Sequence, residues 1–239
     1  MRIFHASLLS LLLLVGCTNG SSKMFIDPTG YSSSESRDRY QAIGSLFPSD
    51  QAVMSNDAIE AVLSRKVTIP PASRVAVVRM MPPRYWAWSE ELTRMDESVM
   101  NRFVEALAKS EHAGSVAMLP AMLLPRQMSL SLIREAAARR QADLVVIYQV
   151  TTRTFERQKF FAADETKAYC NIQAVLLDTR SGIVPFATHA TEVYEARKES
   201  SDLNFQETIW KAELAATSKA LDRIAADAVK FLDAGDLPE

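Results

Sequence analysis

The sequence predicts an α/β domain in which helices pack on one mixed β-sheet. Segments with helical spacing of apolar residues separate the first strand-like runs, whereas three later strand-like runs follow one another and lead into a long final helix. The predicted order is therefore β-α-β-α-β-β-β-α. Strands joined by helices are expected to run parallel through right-handed crossovers, and strands joined by short turns are expected to run antiparallel.

The first half of the domain alternates helices and strands. Ser55 or Asn56 is predicted to cap a first short helix. The valine-rich run 74–80 has the composition of a buried strand, which the prolines after it would stop. The other elements predicted in this half are a helix over 96–110, a strand over 115–119 and a helix over 129–140.

The second half is predicted to contain three consecutive strands and one helix. The run 144–154 begins as a solid apolar segment, as expected of a strand that is covered on both faces. The run 168–177 alternates apolar and polar residues, and the Asp-Thr-Arg-Ser-Gly segment after it predicts a hairpin turn into a partner strand over 184–195. Apolar residues spaced by three and four predict a final helix from about 204 to 232.

The amino-terminal residues resemble a bacterial lipoprotein signal. Arg2 provides the positive start, residues 8–15 form a short apolar core, and the Leu-Val-Gly-Cys sequence ending at Cys17 resembles the lipobox. The resemblance implies removal of residues 1–16, diacylglycerol on the Cys17 sulfur and a further acyl chain, such as palmitate, on its amino group. The apolar run is shorter than the roughly 20 residues of a membrane-spanning helix, whereas three acyl chains would hold the protein in the membrane. The alternative is an ordinary secreted protein with a chance cysteine.

Residues 17–50 are predicted to be a flexible tether and residues 51–239 a single periplasmic domain. Turn-forming and serine-rich stretches dominate the first segment, although residues 24–26 and 43–47 are apolar and could dock on the domain or on a partner. The residue after the cysteine is Thr18 rather than aspartate. By similarity to enterobacterial sorting, this predicts an anchor in the outer membrane with the domain facing the periplasm.

The net charge restricts the expected partners of the mature chain, and the cysteine content restricts the expected role of Cys170. Removal of residues 1–16 leaves 26 basic and 29 acidic residues, a net charge of −3 with no basic block, so neither nucleic acid nor an anionic lipid surface is an expected partner. If Cys17 is lipidated, Cys170 cannot form a disulfide within the chain. Its position in a predicted strand favours a buried small apolar residue over a nucleophile.

The titratable residues give little support for catalysis. His112 lies in a polar turn after a helix, His189 alternates along a strand, and neither has a carboxylate at metal-ligand spacing. Asp178 is expected to set the hairpin turn. The sequence contains neither a Gly-x-Ser-x-Gly elbow nor a glycine-rich phosphate loop. We therefore predict no catalytic residue, no metal ligand and no cofactor.

Two aromatic segments are the candidates for binding a partner. Tyr85, Trp86 and Trp88 follow the first strand, and such residues dominate the energies of protein interfaces. Phe160 and Phe161 lie near charged residues at the predicted hairpin tip and could contact a partner or lipid. The alternatives are that the tryptophans fold back over the end of the sheet and that the phenylalanines pack on the final helix.

The later strands resemble those of a group of periplasmic α/β domains. The resemblance lies in residues 142–147 (ADLVVI) and 176–182 (LLDTRSG), where a strand ends in aspartate before a turn and glycine. The group includes the TolB amino-terminal domain, the curli-secretion lipoprotein and lipoprotein activators of peptidoglycan synthases. The likeness extends over about residues 72–232 and implies a shared fold, not a shared function.

A closer resemblance is to the rhombotarget lipoproteins. It rests on the lipobox, on residues 169–186 (YCNIQAVLLDTRSGIVPF) and on residues 202–208 (DLNFQET). That family is associated with the rhomboid-like protease rhombosortase, whose substrates usually end in a Gly-Gly motif, an apolar span and basic residues. The last residues here, 234–239 (AGDLPE), lack this pattern. Processing of this chain by such a protease is therefore not expected.

The sequence thus predicts a membrane-anchored lipoprotein that acts as a non-catalytic binding or assembly module in the bacterial cell envelope. Its expected partners are the membrane, through the lipid, and an envelope protein. One alternative is a structural subunit of an export assembly, although charged residues interrupt the segment 151–164 that would have to form barrel strands. The other is an envelope hydrolase, which requires that at least two of Asp143, Cys170, Asp178 and His189 converge in one pocket.

Overall fold

The fold is a mixed sheet with helices packed on it. A computed structural model describes residues 45–47, 54–80, 89–124, 128–159 and 162–234, together with the backbone of two short strands at 25–26 and 32–33. The predicted α/β class and the order from the first predicted strand to the final helix are confirmed. The described elements are β1 (Phe25–Ile26), β2 (Ser32–Ser33), α1 (Asn56–Leu63), β3 (Ser73–Arg79), α2 (Glu90–Leu107), β4 (Ala113–Met118), α3 (Leu130–Arg139), β5 (Leu144–Arg157), β6 (Glu165–Asp178), β7 (Phe186–Arg197) and α4 (Phe205–Ala234).

The five long strands form a sheet of order β4-β3-β5-β6-β7. As predicted, β3 runs parallel to β4 and β5, whereas the β5–β6 and β6–β7 pairs are antiparallel. β5 and β6 pair over all 14 residues of each strand. β3 pairs with β5 only up to Arg79–Tyr148, so the β5–β6 hairpin extends well beyond β3. On this extension, Ser32 of β2 pairs with Glu156 of β5.

Two apolar layers cover different parts of the sheet. The face that carries Tyr148 and Ile172 packs against α2 and α4 along the sheet. The opposite face packs against Ile133 of α3, but only where β3 and the first part of β5 lie side by side. Side chains alternate between the two faces of a strand, and α3 does not reach the extension. One face of the extended hairpin is therefore covered by α4, and the other is not covered by a helix of the described chain.

Helix α2 begins earlier than the sequence analysis predicted. It starts at Glu90 instead of Asp96, because the Ser89 hydroxyl accepts a hydrogen bond from the Leu92 amide at 3.3 Å. Leu92 is completely buried. Asp96, in the second turn, forms a largely buried ion pair with Arg79 at 2.9 Å. The first turn of α2 is polar in sequence although it contains a buried leucine, so the helix start was predicted too late.

Parts of the segment predicted as a tether lie against the domain. β1 pairs with β2, and β2 pairs with the far end of β5. Leu46 packs against the α3 layer, and its carbonyl accepts a hydrogen bond from the Leu130 amide at 2.9 Å. Of the two alternatives for the apolar stretches, docking on the domain is thus observed for Leu46 and for the backbone at 25–26. The boundaries 17–50 and 51–239 stay a prediction.

No helix in the described part of the chain is both long enough and apolar enough to cross a membrane.

The burial of β6 under α4 gives a direct stability test. Ile172→Ala is expected to lower the free energy of unfolding by about 2–5 kcal/mol, because Ile172 is fully buried and a cavity would remain. The matched control is Val193→Ala on the exposed side of β7, with an expected change of about 0.5 kcal/mol or less. Equilibrium urea denaturation measures both values. Equal losses for the two variants would contradict the described packing.

Candidate functional site

All residues predicted to bind a partner or a lipid lie outside the described part of the chain. They are Tyr85, Trp86, Trp88, Phe160, Phe161 and Cys17. The residues that flank the two aromatic segments are described. Met80 donates its amide to the Tyr148 carbonyl at 2.9 Å, and the Lys159 amide donates to Asp164 at 3.0 Å across the hairpin end. The described residues Met80 and Lys159 thus lie where β3 ends and where the β5–β6 hairpin ends, respectively.

The side of the β5–β6 extension that no helix of the described residues covers presents a polar and aromatic surface, which we call the open face. Its side chains form rows across β5, β6 and β7, such as Arg153–Tyr169–Val193. Asn171 also donates a hydrogen bond to Thr191 at 2.9 Å. We define the open face by the outward residues Thr151, Arg153, Phe155, Lys167, Tyr169, Asn171, Gln173, His189, Thr191 and Val193.

Two aromatic rings and two cationic side chains contact one another at the centre of the open face. The rings of Phe155 and Tyr169 lie edge to face, with their centroids 5.5 Å apart. The Arg153 guanidinium lies 5.2 Å from the Phe155 ring centre, and the Lys167 ammonium lies 5.5 Å from that of Tyr169. Such contacts restrict long side chains before any partner binds. A partner would therefore lose less conformational entropy on binding here than on a mobile surface.

The open face ends in a group of ionised side chains at the tip of the β5–β6 hairpin, which we call the charged end. It contains four cations and two carboxylates around an open pocket of about 420 Å³. The whole chain, in contrast, has a net charge of −2. The residues of the charged end are Arg157, Lys159, Glu165, Lys167, Glu195 and Arg197.

Glu165 holds the charged end together. It pairs with Arg157 across the strands, and its carboxylate lies 2.6 Å from the Lys159 ammonium, 2.9 Å from the Arg197 guanidinium and 3.5 Å from Arg157. The hydrogen bond from Lys159, together with the nearby arginine charges, lowers the pKa of Glu165 against the opposing effect of burial. Its side chain is only 9% exposed, whereas that of Arg197 is 77% exposed. Cationic groups thus face solvent around a buried carboxylate.

A second pocket, of about 350 Å³, lies at the opposite end of β5 and contains two of the four residues that a hydrolase was expected to bring together, Asp143 and Asp178. Asp178 accepts hydrogen bonds from the amides of Arg180 and Ser181 and from the Ser181 hydroxyl, so it sets the hairpin turn as predicted. Gly182 completes this turn at φ +77°.

Asp143, the other carboxylate of that pocket, is engaged by Arg74. The Arg74 guanidinium donates to both carboxylate oxygens at 3.0 and 3.1 Å, and the Arg74 amide donates at 3.0 Å. The hydrogen bonds from the Arg74 side chain lower the pKa of Asp143, which is the opposite of what a general acid needs. The two carboxylates share a pocket, but both have structural partners.

Cys170 and His189 lie apart from that pocket and from each other. Cys170 is buried beneath α4, with its sulfur 3.5 Å from the Thr217 hydroxyl, and burial raises the pKa of its thiol to about 11. This confirms the predicted buried apolar role. His189 is exposed on the open face opposite Gln173. Among the described residues, no group of three or more His, Cys, Asp or Glu side chains is arranged to hold a metal ion.

The sequence analysis missed one buried ionic network, at the start of α4. Lys211 contacts Asp202 at 2.9 Å and both Glu207 and Glu91 at 3.1 Å. Burial alone would raise the pKa of Asp202, but hydrogen bonds from the Glu199 amide, Thr208 and Lys211 lower it. Because Glu91 belongs to α2, the network joins the beginnings of α2 and α4. Its role is therefore structural. The Asn-Phe-Gln-Glu sequence at 204–207 is the part that resembles a helix cap.

Comparison with known proteins finds similarity in solved structures only. No protein-family model and no curated protein sequence matches the chain. A neuraminyllactose-binding hemagglutinin homologue from Helicobacter pylori has 14% identity and a TM-score of 0.40, covering 71% of this chain and 92% of that one. A minor lipoprotein from Acinetobacter baumannii has 7% identity and a TM-score of 0.31, covering 71% and 99%. The LpoB carboxy-terminal domain from Salmonella enterica has 12% identity and a TM-score of 0.29, covering 52% and 84%.

Lipoproteins are thus among the structures that are similar to this chain. At these TM-scores and identities, the similarity does not transfer an activity or a partner. The resemblances to the rhombotarget lipoproteins and to the TolB and curli-secretion domains stay predictions.

The ion pairs of Glu165 predict a specific dependence of stability on pH. Because its folded-state pKa is lowered, Glu165 stabilises the fold above the ordinary glutamate pKa of 4.5, and this contribution is lost as the pH falls from 4.5 through the folded-state value. Glu165→Gln should therefore be less stable than the parent at neutral pH, and the difference should shrink in acid. Urea denaturation midpoints across this range measure it. Glu105→Gln, on the exposed side of α2, controls for the loss of one negative charge.

Proposed function

We propose that the mature protein is a lipid-anchored module of the bacterial cell envelope, held in the outer membrane by acyl chains on Cys17 with its domain in the periplasm. The support is the lipobox-like sequence before Cys17 and the short apolar segment that precedes it. Three acyl chains bury far more methylene groups than the single chain that gives only marginal membrane binding.

Within this setting, the proposed function is non-catalytic binding of an envelope protein through the open face. The observation that carries this proposal is the group formed by Arg153, Phe155, Lys167 and Tyr169 on the open face, where Arg153 is exposed and the other three residues are half-buried. Arginine and aromatic residues are enriched among those that dominate interface energies. The cations on the rings favour a partner that presents acidic side chains.

Catalysis is supported less well by the arrangement of the titratable groups. Asp143 and Asp178 share a pocket, but Arg74 and the turn amides bind their carboxylates. Cys170 is buried with a raised pKa, and its thiolate is therefore a minor species at neutral pH. A thiol nucleophile is activated by an adjacent base or by a lowered pKa, whereas Cys170 contacts the Thr217 hydroxyl and has a raised pKa.

The binding proposal is tested by site-specific crosslinking in cells. A photoreactive residue in place of Thr191, at the rim of the open face, is expected to form one defined adduct with an envelope protein. Arg153→Ala combined with Tyr169→Ala should lower the adduct yield by about tenfold or more, because residues of this kind each contribute about 1–2 kcal/mol at interface centres. Mass spectrometry identifies and quantifies the adduct.

Two controls complete this experiment. Leu203→Ala removes a side chain that is 88% exposed, in the loop before α4, and should leave the adduct unchanged. Cys17→Ser removes the proposed acylation site and should lower the yield by releasing the domain from the membrane. An adduct that survives the double substitution, or that Leu203→Ala reduces equally, would rule out the open face as the contact.

A further inference from the structure

We propose that the charged end docks on anionic lipid headgroups of the membrane that carries the Cys17 acyl chains. The tip of the β5–β6 hairpin would then face the lipid surface, and the open face would stand roughly perpendicular to it. This inference rests on the lipid anchor of the proposed function and adds the orientation of the domain and a second membrane contact.

The first argument is the length of chain between Cys17 and the sheet. The segment predicted as a tether is long, but β1 begins only eight residues after Cys17, at Phe25. Eight residues span at most about 26–29 Å and on average about 16 Å if flexible. β1 pairs with β2, and Ser32 of β2 pairs with Glu156. The acylated residue is therefore connected by a short segment to β1, which lies two strands away from Glu156, the residue before Arg157 of the charged end.

The second argument is electrostatic. The pocket of the charged end is lined by four cations and two carboxylates, and the guanidinium of Arg197 is mostly exposed. Asp164 and Lys198 lie beside the pocket and add one charge of each sign. Cations near an anionic leaflet are attracted within about one Debye length, roughly 8–10 Å at physiological salt. Phosphate oxygens match both the fork of an arginine and the point charge of a lysine.

Chain length distinguishes this end of the sheet from the other. Arg65, Lys66 and Arg180 form a second group of cations around the pocket at the start of β5. β5 has 14 residues, and at a rise of about 3.3 Å per residue its two ends lie about 43 Å apart. A segment that reaches at most about 29 Å from Cys17 to β1 favours contact at the charged end.

The test measures which end of the domain lies near the lipid. The acylated full-length mature chain is reconstituted into vesicles of phosphatidylcholine, with or without phosphatidylglycerol, that contain an acceptor-labelled lipid. A donor fluorophore is attached at Gln158→Cys beside the charged end or, as the matched control, at Lys109→Cys after α2 near the opposite end. Both positions are exposed. The buried Cys170 should remain unlabelled in the folded protein, and the unsubstituted chain controls for this.

Energy transfer is expected to be stronger from position 158 than from position 109, and the difference should depend on phosphatidylglycerol. Lys159→Gln combined with Arg197→Gln removes two cations, which should lower the equilibrium constant for docking roughly 30-fold at about 1 kcal/mol per cation. Lys159→Gln combined with Glu165→Gln disturbs the same ion pairs without changing the net charge and should retain docking.

The negative results of this experiment distinguish a failure of docking from a failure of the lipid anchor. The acylated chain could associate with the vesicles but give equal energy transfer from positions 158 and 109. It could also give energy transfer that does not depend on phosphatidylglycerol. Either result would overturn the docking proposal and leave the anchor intact. Equal effects of the two double variants would also overturn it, because the loss would then follow from disrupted ion pairs instead of charge. Acylated chain that does not associate with vesicles would overturn the anchor and, with it, the docking.

Discussion

The uninterrupted pairing of β5 with β6 is the constraint on which the rest of the structure depends. The two strands stay in register from Leu144–Asp178 to Arg157–Glu165, whereas β3 accompanies β5 only as far as Tyr148. Helix α4 can cover one face of the whole hairpin, but α3 covers the other face only beside β3. The open face, the charged end and the pairing site for β2 all arise because the hairpin is longer than its parallel neighbour.

This register also explains which features the sequence predicts and which it does not. Alternation and helical spacing are local patterns, so the α/β class, the element order and the buried role of Cys170 follow from them. The charged end is not a local pattern. Arg197 lies far from Arg157 and Glu165 in the chain and meets them only because the β6–β7 pairing aligns it with Glu165. The start of α2 was misplaced because its first turn, which Ser89 caps, is polar in sequence.

Three carboxylates show how a structural role differs from a catalytic one. Asp178 binds turn amides, Asp143 binds Arg74, and Asp202 binds Lys211 and Thr208. In each case the partners hold the carboxylate in a fixed position, and for Asp143 and Asp202 they also lower its pKa. Glu165 differs in the number of its cationic partners, because its carboxylate contacts Arg157, Lys159 and Arg197. This difference supports a binding role for the hairpin tip and does not support catalysis at the opposite end of the sheet.

Amide hydrogen exchange along β6 tests the central claim most directly. If the hairpin is continuous, the amides of residues 166–172, beyond the end of β3, should be protected to within about tenfold of those of residues 174–177, which lie beside it. Exchange of residues 166–172 as fast as that of the exposed loop at 198–201 would contradict the account, since the open face and the charged end would then lack a stable support.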